Sequence, residues 1–463
     1  MSAALAASAP LASTMNPRTR LLLHGKVVPT LLRLAWPNTL VMLAQASVGL
    51  IETWWVSRLG TDALAGMALV FPGFMMMQML SAGAIGGGIA SAIARALGGG
   101  RREDADALVL HALLINGALG LGFTALVLRF GPALYGALGG EGGSLRAALD
   151  YSNVVFGGAA LIWLSNAFAS VLRGTGNVML PSVALVAGVA VLVPLSPLLI
   201  HGWDPVPGFG IAGAGWAVII GVGLSTAVLA WAVCSGRGIA RLRPARPRWA
   251  LFRDILGVGA VASVSTLQTT LTVALTTAVV ARAGGPDAVA GYGTAARLEY
   301  LLIPLVFGLG APLVALVGTN IGAGQTSRAS RIALTGGAMA FLAAEAVGVA
   351  AAVWPHAWLG LFGDDPRMLE TGATYLRVVG PTYGFFGLGL SLYFASQGAG
   401  RLAWPLFGGL LRLVVAVGGG WVALRLTGSL AWVFAALAAG LLVYGASLAA
   451  VIGSGVWLQR RPR

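Results

Sequence analysis

Apolar residues arrive along this chain in long unbroken runs, without the strict alternation of a half-buried strand or the one-sided stripe of a soluble helix. Runs of the roughly 20 residues needed to cross a hydrocarbon core about 30 Å thick recur from Leu34 to Trp457. They predict twelve spans, near 34–57, 63–90, 106–128, 147–172, 180–200, 211–234, 255–281, 288–316, 330–353, 371–397, 404–424 and 430–457. Backbone groups find no water inside a bilayer, and the runs lack the alternation of a barrel strand, so each reads as an α-helix. The fold class expected is all-α integral membrane.

Composition agrees with the pattern. The 463 residues are 57% hydrophobic and only 10% charged, with a mean hydropathy of +0.86, whereas soluble domains carry about 25% charged residues. The formal charge of +14 would suit a nucleic-acid partner if the cations were clustered on a soluble face, but they follow topology instead. Arg18, Arg20, Lys26 and Arg33 precede the first span; Arg95, Arg101 and Arg102 follow the second; Arg237, Arg241, Arg243, Arg246, Arg248 and Arg253 fill the connection between the sixth and seventh. Arg328, Arg331, Arg401, Arg460, Arg461 and Arg463 continue the series, while the opposite loops hold scattered cations such as Arg58, Arg129, Arg282 and Arg425. By the positive-inside rule both termini and the even-numbered connections face the cytoplasm, which predicts a multi-pass inner-membrane protein with the bilayer, not nucleic acid, as its partner. The late arginines and the absence of a basic stretch ahead of an apolar one argue against a cleaved signal peptide; the first 24 residues read as a flexible cytosolic tail, with Met15 as an alternative start. Cys234 is the only cysteine, so no intramolecular disulfide is expected.

The chain repeats itself. IETWWVSRLGTDALAG from Ile51 returns as AVVARAGGPDAVAG from Ala278, pairing Asp62 and Gly66 with Asp287 and Gly291. RALGGGRREDA returns as TNIGAGQTSRA, pairing Gly98 and Gly100 with Gly322 and Gly324, and Gly174, Gly176 and Pro181 pair with Gly398, Gly400 and Pro405. Tyr151 pairs with Tyr375. An even number of helices per repeat gives the halves one orientation, so two parallel six-helix repeats around a central cavity are expected. The division predicted is a tail over 1–33, an N-lobe over 34–234, an Arg-rich linker with Pro244 and Pro247 over 235–254, a C-lobe over 255–457 and a tail over 458–463. Lys26 is the only lysine, so no Walker-type phosphate loop exists. His24, His111, His201 and His356 fall at or near span ends without metal-ligand spacing, and no metalloprotease motif or nucleophile elbow is present, which leaves an enzyme as the weakest class.

Taken in order, LAWPNTL at Leu34, IETWWVSRLGTDALAG, RALGGG at Arg95, LRGTGN at Leu172, PLLI at Pro197, GIAGAGWA at Gly210, RLEYLLIPLVFGLG at Arg297 and NIGAGQ at Asn320 resemble the multidrug and toxic compound extrusion (MATE) family of cation-coupled efflux transporters over nearly the whole chain. The resemblance implies two lobes forming a V, alternating access, and export of amphipathic organic cations in exchange for Na+ or H+, with no other cofactor. It also implies an ion-coupling acid on the first helix, a place held here by Glu52, fifteen residues after the helix-bending Pro37 and its neighbour Asn38. Glu stands where the family usually has Asp. The fifth-helix Asn and Asp of the family's cation network are Leu192 and Ser196 here, and a sixth-helix Thr is Val218. Na+ would lose much of its oxygen ligand set, whereas H+ needs one titrating carboxylate, so proton coupling is expected.

An acid in a span costs about 2.5–3.5 kcal/mol at helix centre on insertion scales, so each is weighed as a functional or a paired structural group. Glu52 is the coupling candidate, against an interfacial carboxylate paired with Arg58. Glu299 lies two residues from Arg297, on a different face, and is either a C-lobe cation or drug contact or a structural acid. Glu345 reads as a hydrogen-bonded packing residue, and Arg377 and Arg412 as structural cations that cap carbonyls or pair with these acids. Met75, Met76, Met77 and Met79 surround Gln78; at most two of them can line a cavity. Gln78, Asn166, Ser196, Gln268, Tyr383 and Gln397 join Glu299 as cavity candidates, with helix–helix hydrogen bonding as the plain alternative. A single chain is expected to work alone. The competing classes are a flippase for a lipid-linked precursor, which would want more cavity arginines than Arg297, Arg377 and Arg412, and a membrane-embedded lipid enzyme, which would want clustered Asp or His.

Overall fold

The computed structural model describes residues 16–204, 206–236 and 238–458, with the side chains of Ala46, Val206 and Tyr300 left out. Arg237, Arg460, Arg461, Arg463 and Met15 lie outside the described residues. The helices are α1 Pro17–His24, α2 Val27–Ser57, α3 Thr61–Gln78, α4 Gly86–Gly98, α5 Arg102–Ala137, α6 Gly142–Gly157, α7 Ala159–Gly174, α8 Met179–His201 and α9 Ile211–Cys234. They continue with α10 Trp249–Gly322, α11 Thr326–Val353, α12 Pro355–Leu359, α13 Pro366–Val379, α14 Tyr383–Ala399, α15 Ala403–Leu413, α16 Gly419–Thr427 and α17 Leu430–Gly453. A two-residue hairpin, β1 Gly202–Trp203 with β2 Val206–Pro207, follows α8.

Ten helices or continuous helix stacks are long and apolar enough to cross a membrane. The pair α6 and α7, bent by 45° beside Gly158, is an eleventh crossing. One of the ten is α10, whose 74 residues would run about 110 Å if straight, far beyond a bilayer. It breaks at Gly285, where φ is 67° and ψ −161°, a backbone open to glycine and closed to L side chains. Counted as two, it brings the described crossings to twelve in an all-α membrane fold. The structure corrects the shapes of several predicted spans. The second, placed at 63–90, runs from Thr61 to Gly98 and passes through a π-helical turn at Met79–Ile85. The eleventh contains another at Val414–Gly418, and the tenth is interrupted by a 3₁₀ turn at Gly380–Thr382. Hydropathy marks the stretch that meets hydrocarbon and is blind to how the helical ladder is wound inside it.

Two compact units are present: residues 36–259 with the described part of 1–21, and residues 22–35 with 260–458. Residues 17–24 are not the flexible tail expected. From Pro17 they form α1, and Leu22 and Leu23 are each only 3% exposed. His111, in the opening turns of α5, is fully buried.

Inside each unit the repeat is written into close packing. A Cβ added to Gly174 would stand 2.7 Å from the Ala90 carbonyl oxygen, and one added to Gly398 2.6 Å from that of Val314. Ala90 and Val314 are themselves 224 residues apart, as Gly174 and Gly398 are. Small residues thus let α4 meet α7, and the end of α10 meet α14, backbone to backbone, the contact that replaces hydrophobic driving force inside lipid. Gly66 against Ala148 and Gly291 against Gly372 repeat the device between another pair of helices in each half.

Candidate functional site

Three polar places stand out in the apolar interior. In the first unit, Glu52 on α2 is 5% exposed, and its Oε1 is buried without a hydrogen-bond partner. The pairing with Arg58 that its position suggested is not made: the exposed Arg58 guanidinium lies over the Trp54 ring at 4.1 Å from the centroid and over Trp55 at 5.3 Å. Helix direction explains this, since six residues put Arg58 past the end of α2 and on its aromatic side. Tyr151 of α6 is the titratable neighbour near enough to couple electrostatically to Glu52.

One turn before Glu52, Val48 packs on a cluster of Leu192, Ala217 and Val218 from α8 and α9. One turn beyond Leu192 on the same face stands Ser196, fully buried, its Oγ without a partner. Glu52 and Ser196 thus each lie one turn beyond residues that meet in this cluster. The structure does not gather all of the coupling trio there. Pro37, inside α2, and the buried Asn38 are four turns of helix away, about 21 Å along the axis. The trio is therefore two ends of one helix, with a proline removing a backbone hydrogen bond at one end and an acid at the other. An apolar groove of about 500 Å³ lined by Leu50, Ile51, Trp54, Trp55, Val193 and Pro194 lies on the exposed side of the same turns, and Glu52 is not part of its lining.

The second place is also in the first unit. Asn166 of α7 donates its Nδ2 to Gln78 Oε1 at 3.0 Å and to Ser81 Oγ at 2.8 Å. Ser81 lies within the π-helical turn that begins just after Gln78, and such bulges gather at functional sites. Gln78 and Asn166 were legible as polar residues in spans; Ser81 was missed, because no sequence signal announces a π turn. Of the neighbouring methionines, Met77 is fully buried while Met75, Met76 and Met79 are exposed.

The third place is in the second unit. Glu299, on the second half of α10, accepts a hydrogen bond from the Tyr375 hydroxyl of α13. Tyr375 packs edge-on against Tyr292 at 5.3 Å and against Phe434 at 5.2 Å. Tyr383, fully buried, completes the group beside Glu299 and Tyr375. Arg412 approaches from α15, its guanidinium over the Phe386 and Tyr444 rings at 5.5 and 5.8 Å and near enough to Glu299 to act on its charge. With Thr272 and Thr276 these groups line a cavity of about 30 Å³, room for a water or a small ion and not for a drug. Tyr375 was missed as a site residue, although the repeat contained the signal. Tyr151 and Tyr375 are matched positions, and each one attends its own unit's carboxylate, the buried Glu52 and the half-buried Glu299.

The remaining candidates stand apart from these three places. Gln268 presses its side-chain amide against Gly409, where an added Cβ would be 2.8 Å from its Oε1. Gln397 is buried on α14. Glu345 accepts the Gly384 backbone N–H at 2.7 Å, a bond between helices.

Comparison with known proteins places this architecture. The profile of the MatE family matches residues 37–198 and again 261–422, two stretches in register at the same 224-residue offset that pairs Gly174 with Gly398. The FAD transporter of Shewanella oneidensis is 28% identical over 383 residues, 81% of this chain and 82% of that one. The probable multidrug resistance protein NorM of Thermotoga maritima is 23% identical over 384 residues, 81% of each. A crystal structure of a MATE transporter in a bent conformation superposes with a TM-score of 0.87 at 25% identity, covering 96% of this chain and all of that one. A family profile laid twice on one chain, in the register of its own glycine contacts, admits one reading: this chain belongs to the MATE family and is a multi-pass secondary transporter of small molecules.

Proposed function

We propose that the transporter exports amphipathic small molecules in exchange for protons, with Glu52 as the group that carries the proton. The observation behind this is the buried Glu52 Oε1, which has neither a hydrogen bond nor a cation to neutralise it. A carboxylate in that setting exchanges its charge with a proton on its own, whereas Na+ needs several oxygens around it. Leu192 and Val218 offer none, and the neighbouring cluster is apolar. Among the described residues no three His, Cys, Asp or Glu side chains converge to hold an ion. Pro37 supplies the weak point at which α2 bends when the acid changes state. The arrangement of arginines supports an inner-membrane protein with both termini in the cytoplasm; the working unit in this reading is a single chain.

For substrate, the likeness to multidrug resistance proteins favours flat lipophilic cations. A second reading rests on Arg412. It places a fixed cation beside Glu299 in the second unit, which suits an anionic aromatic cargo, and a relative is named for FAD. Proteoliposomes loaded in parallel with ethidium and with FAD, and energised separately by proton and Na+ gradients, decide both points. Proton-driven movement of either compound supports the coupling; movement driven by Na+ at fixed pH, with no proton flux, sinks it.

A further inference from the structure

The boundary between the compact units falls after Ala35 and again after Gly259, positions 224 residues apart and so equivalent in the repeat. The start of α2 is therefore held in the second unit, and the start of α10 in the first. Equivalent corners do the holding, by different chemistry.

In the second unit Asn320, fully buried at the end of α10, donates Nδ2 to the Leu22 carbonyl at 3.0 Å as well as to Leu316 in its own helix at 2.8 Å. Arg328 of α11 donates to the Gly25 carbonyl. Leu22, Leu23 and Leu31 are buried around these bonds. Among the described residues these bonds each join a side chain to a backbone carbonyl, and none involves an acid. In the first unit the same corner is ionic. Arg95, at the end of α4, pairs with Asp254 of α10 at 2.6 Å, and Asp104 of α5 pairs with Arg248 at 2.6 Å. Asp106 accepts the Arg241 backbone N–H at 2.9 Å and faces the Arg243 guanidinium at 3.5 Å, while His111 Nε2 accepts the Arg248 N–H at 2.9 Å. Asp104 and Arg328 occupy equivalent positions in the repeat, so one corner presents an acid to an arginine where the other presents an arginine to a carbonyl.

We propose that these corners are two docks of unequal character, an ion-paired one for the start of α10 and one without ion pairs for the start of α2, with Asp104, Asp254 and Asn320 as positioning residues. The ionic dock is half-open to solvent, with Asp254 39% and the Arg248 side chain 51% exposed. Salt therefore loosens it, while the dock at the start of α2 has, among the described residues, no ion pair for salt to screen. The start of α10 is thus the more easily released, and a transport cycle that frees both helix starts frees that one at lower cost.

Hydrogen–deuterium exchange on the intact protein in lipid nanodiscs tests this without any substrate. Between about 0.05 and 1 M NaCl, amides of 241–254 are expected to exchange about five-fold faster, and those of 17–30 at an unchanged rate. Asp254→Asn should bring 241–254 at low salt to the rate that wild type reaches at high salt. Asn320→Ala should speed 17–30 alone, at every salt concentration. Equal salt responses in the two segments, or none in 241–254, overturn the proposal, because a merely structural corner has no reason to distinguish them.

Discussion

Glu52 is the one acid among the described residues that keeps a buried carboxylate oxygen without a hydrogen bond. Such an atom is tolerated only where its charge comes and goes. Glu52→Gln is expected to abolish proton-driven transport while leaving the amount of membrane-inserted protein at the wild-type level; Glu52→Asp should retain part of the rate. Initial rates in proteoliposomes under an imposed pH gradient measure both, and a Gln variant that still pumps would remove Glu52 from the mechanism. Glu299 is placed differently, because Tyr375 gives it a hydroxyl and Arg412 a nearby cation. Tyr375→Phe should cost about 1–3 kcal/mol of stability by leaving that oxygen unbonded, seen as a lowered midpoint of thermal unfolding in detergent. Glu52 could be found from sequence because an acid in an apolar run is conspicuous. Tyr375 could not, because a tyrosine in a span is ordinary until a carboxylate is found at its hydroxyl.

Helix packing rests on glycine contacts too close for any side chain. Gly174→Ala and Gly398→Ala each force a methyl against a facing carbonyl and should destabilise by about 1–3 kcal/mol. Gly117 in α5 faces open space, so Gly117→Ala should be neutral or stabilise slightly, by up to about 1 kcal/mol. Thermal unfolding of the three variants checks the contrast; equal effects would mean that the close contacts carry no weight. Span number and order were legible because hydrocarbon thickness imposes a length that hydropathy records. The breaks were not. Gly158, the π turn carrying Ser81 and the 3₁₀ turn at Gly380–Thr382 arise from how helices fit one another, and so does the meeting of Gln78 with Asn166, which lie 88 residues apart.

At the scale of the molecule, the repeat was read from matched glycines, and the exact 224-residue register of the two family matches is its strongest form. Each match lies wholly within one compact unit, 37–198 in residues 36–259 and 261–422 in residues 260–458, while the residues just before each match belong to the other unit. Composition was of no help there, because residues 22–35 and 246–259 look like ordinary helix starts. Two identical subunits that exchange an arm and are later fused end to end leave this arrangement, so the chain has the topology of a domain-swapped homodimer made continuous. Its linker should then be dispensable as a covalent bond. Residues 1–236 and 238–463, expressed together as separate chains, should find each other through the exchanged arms and restore transport, while either piece alone lacks the segment that completes its fold.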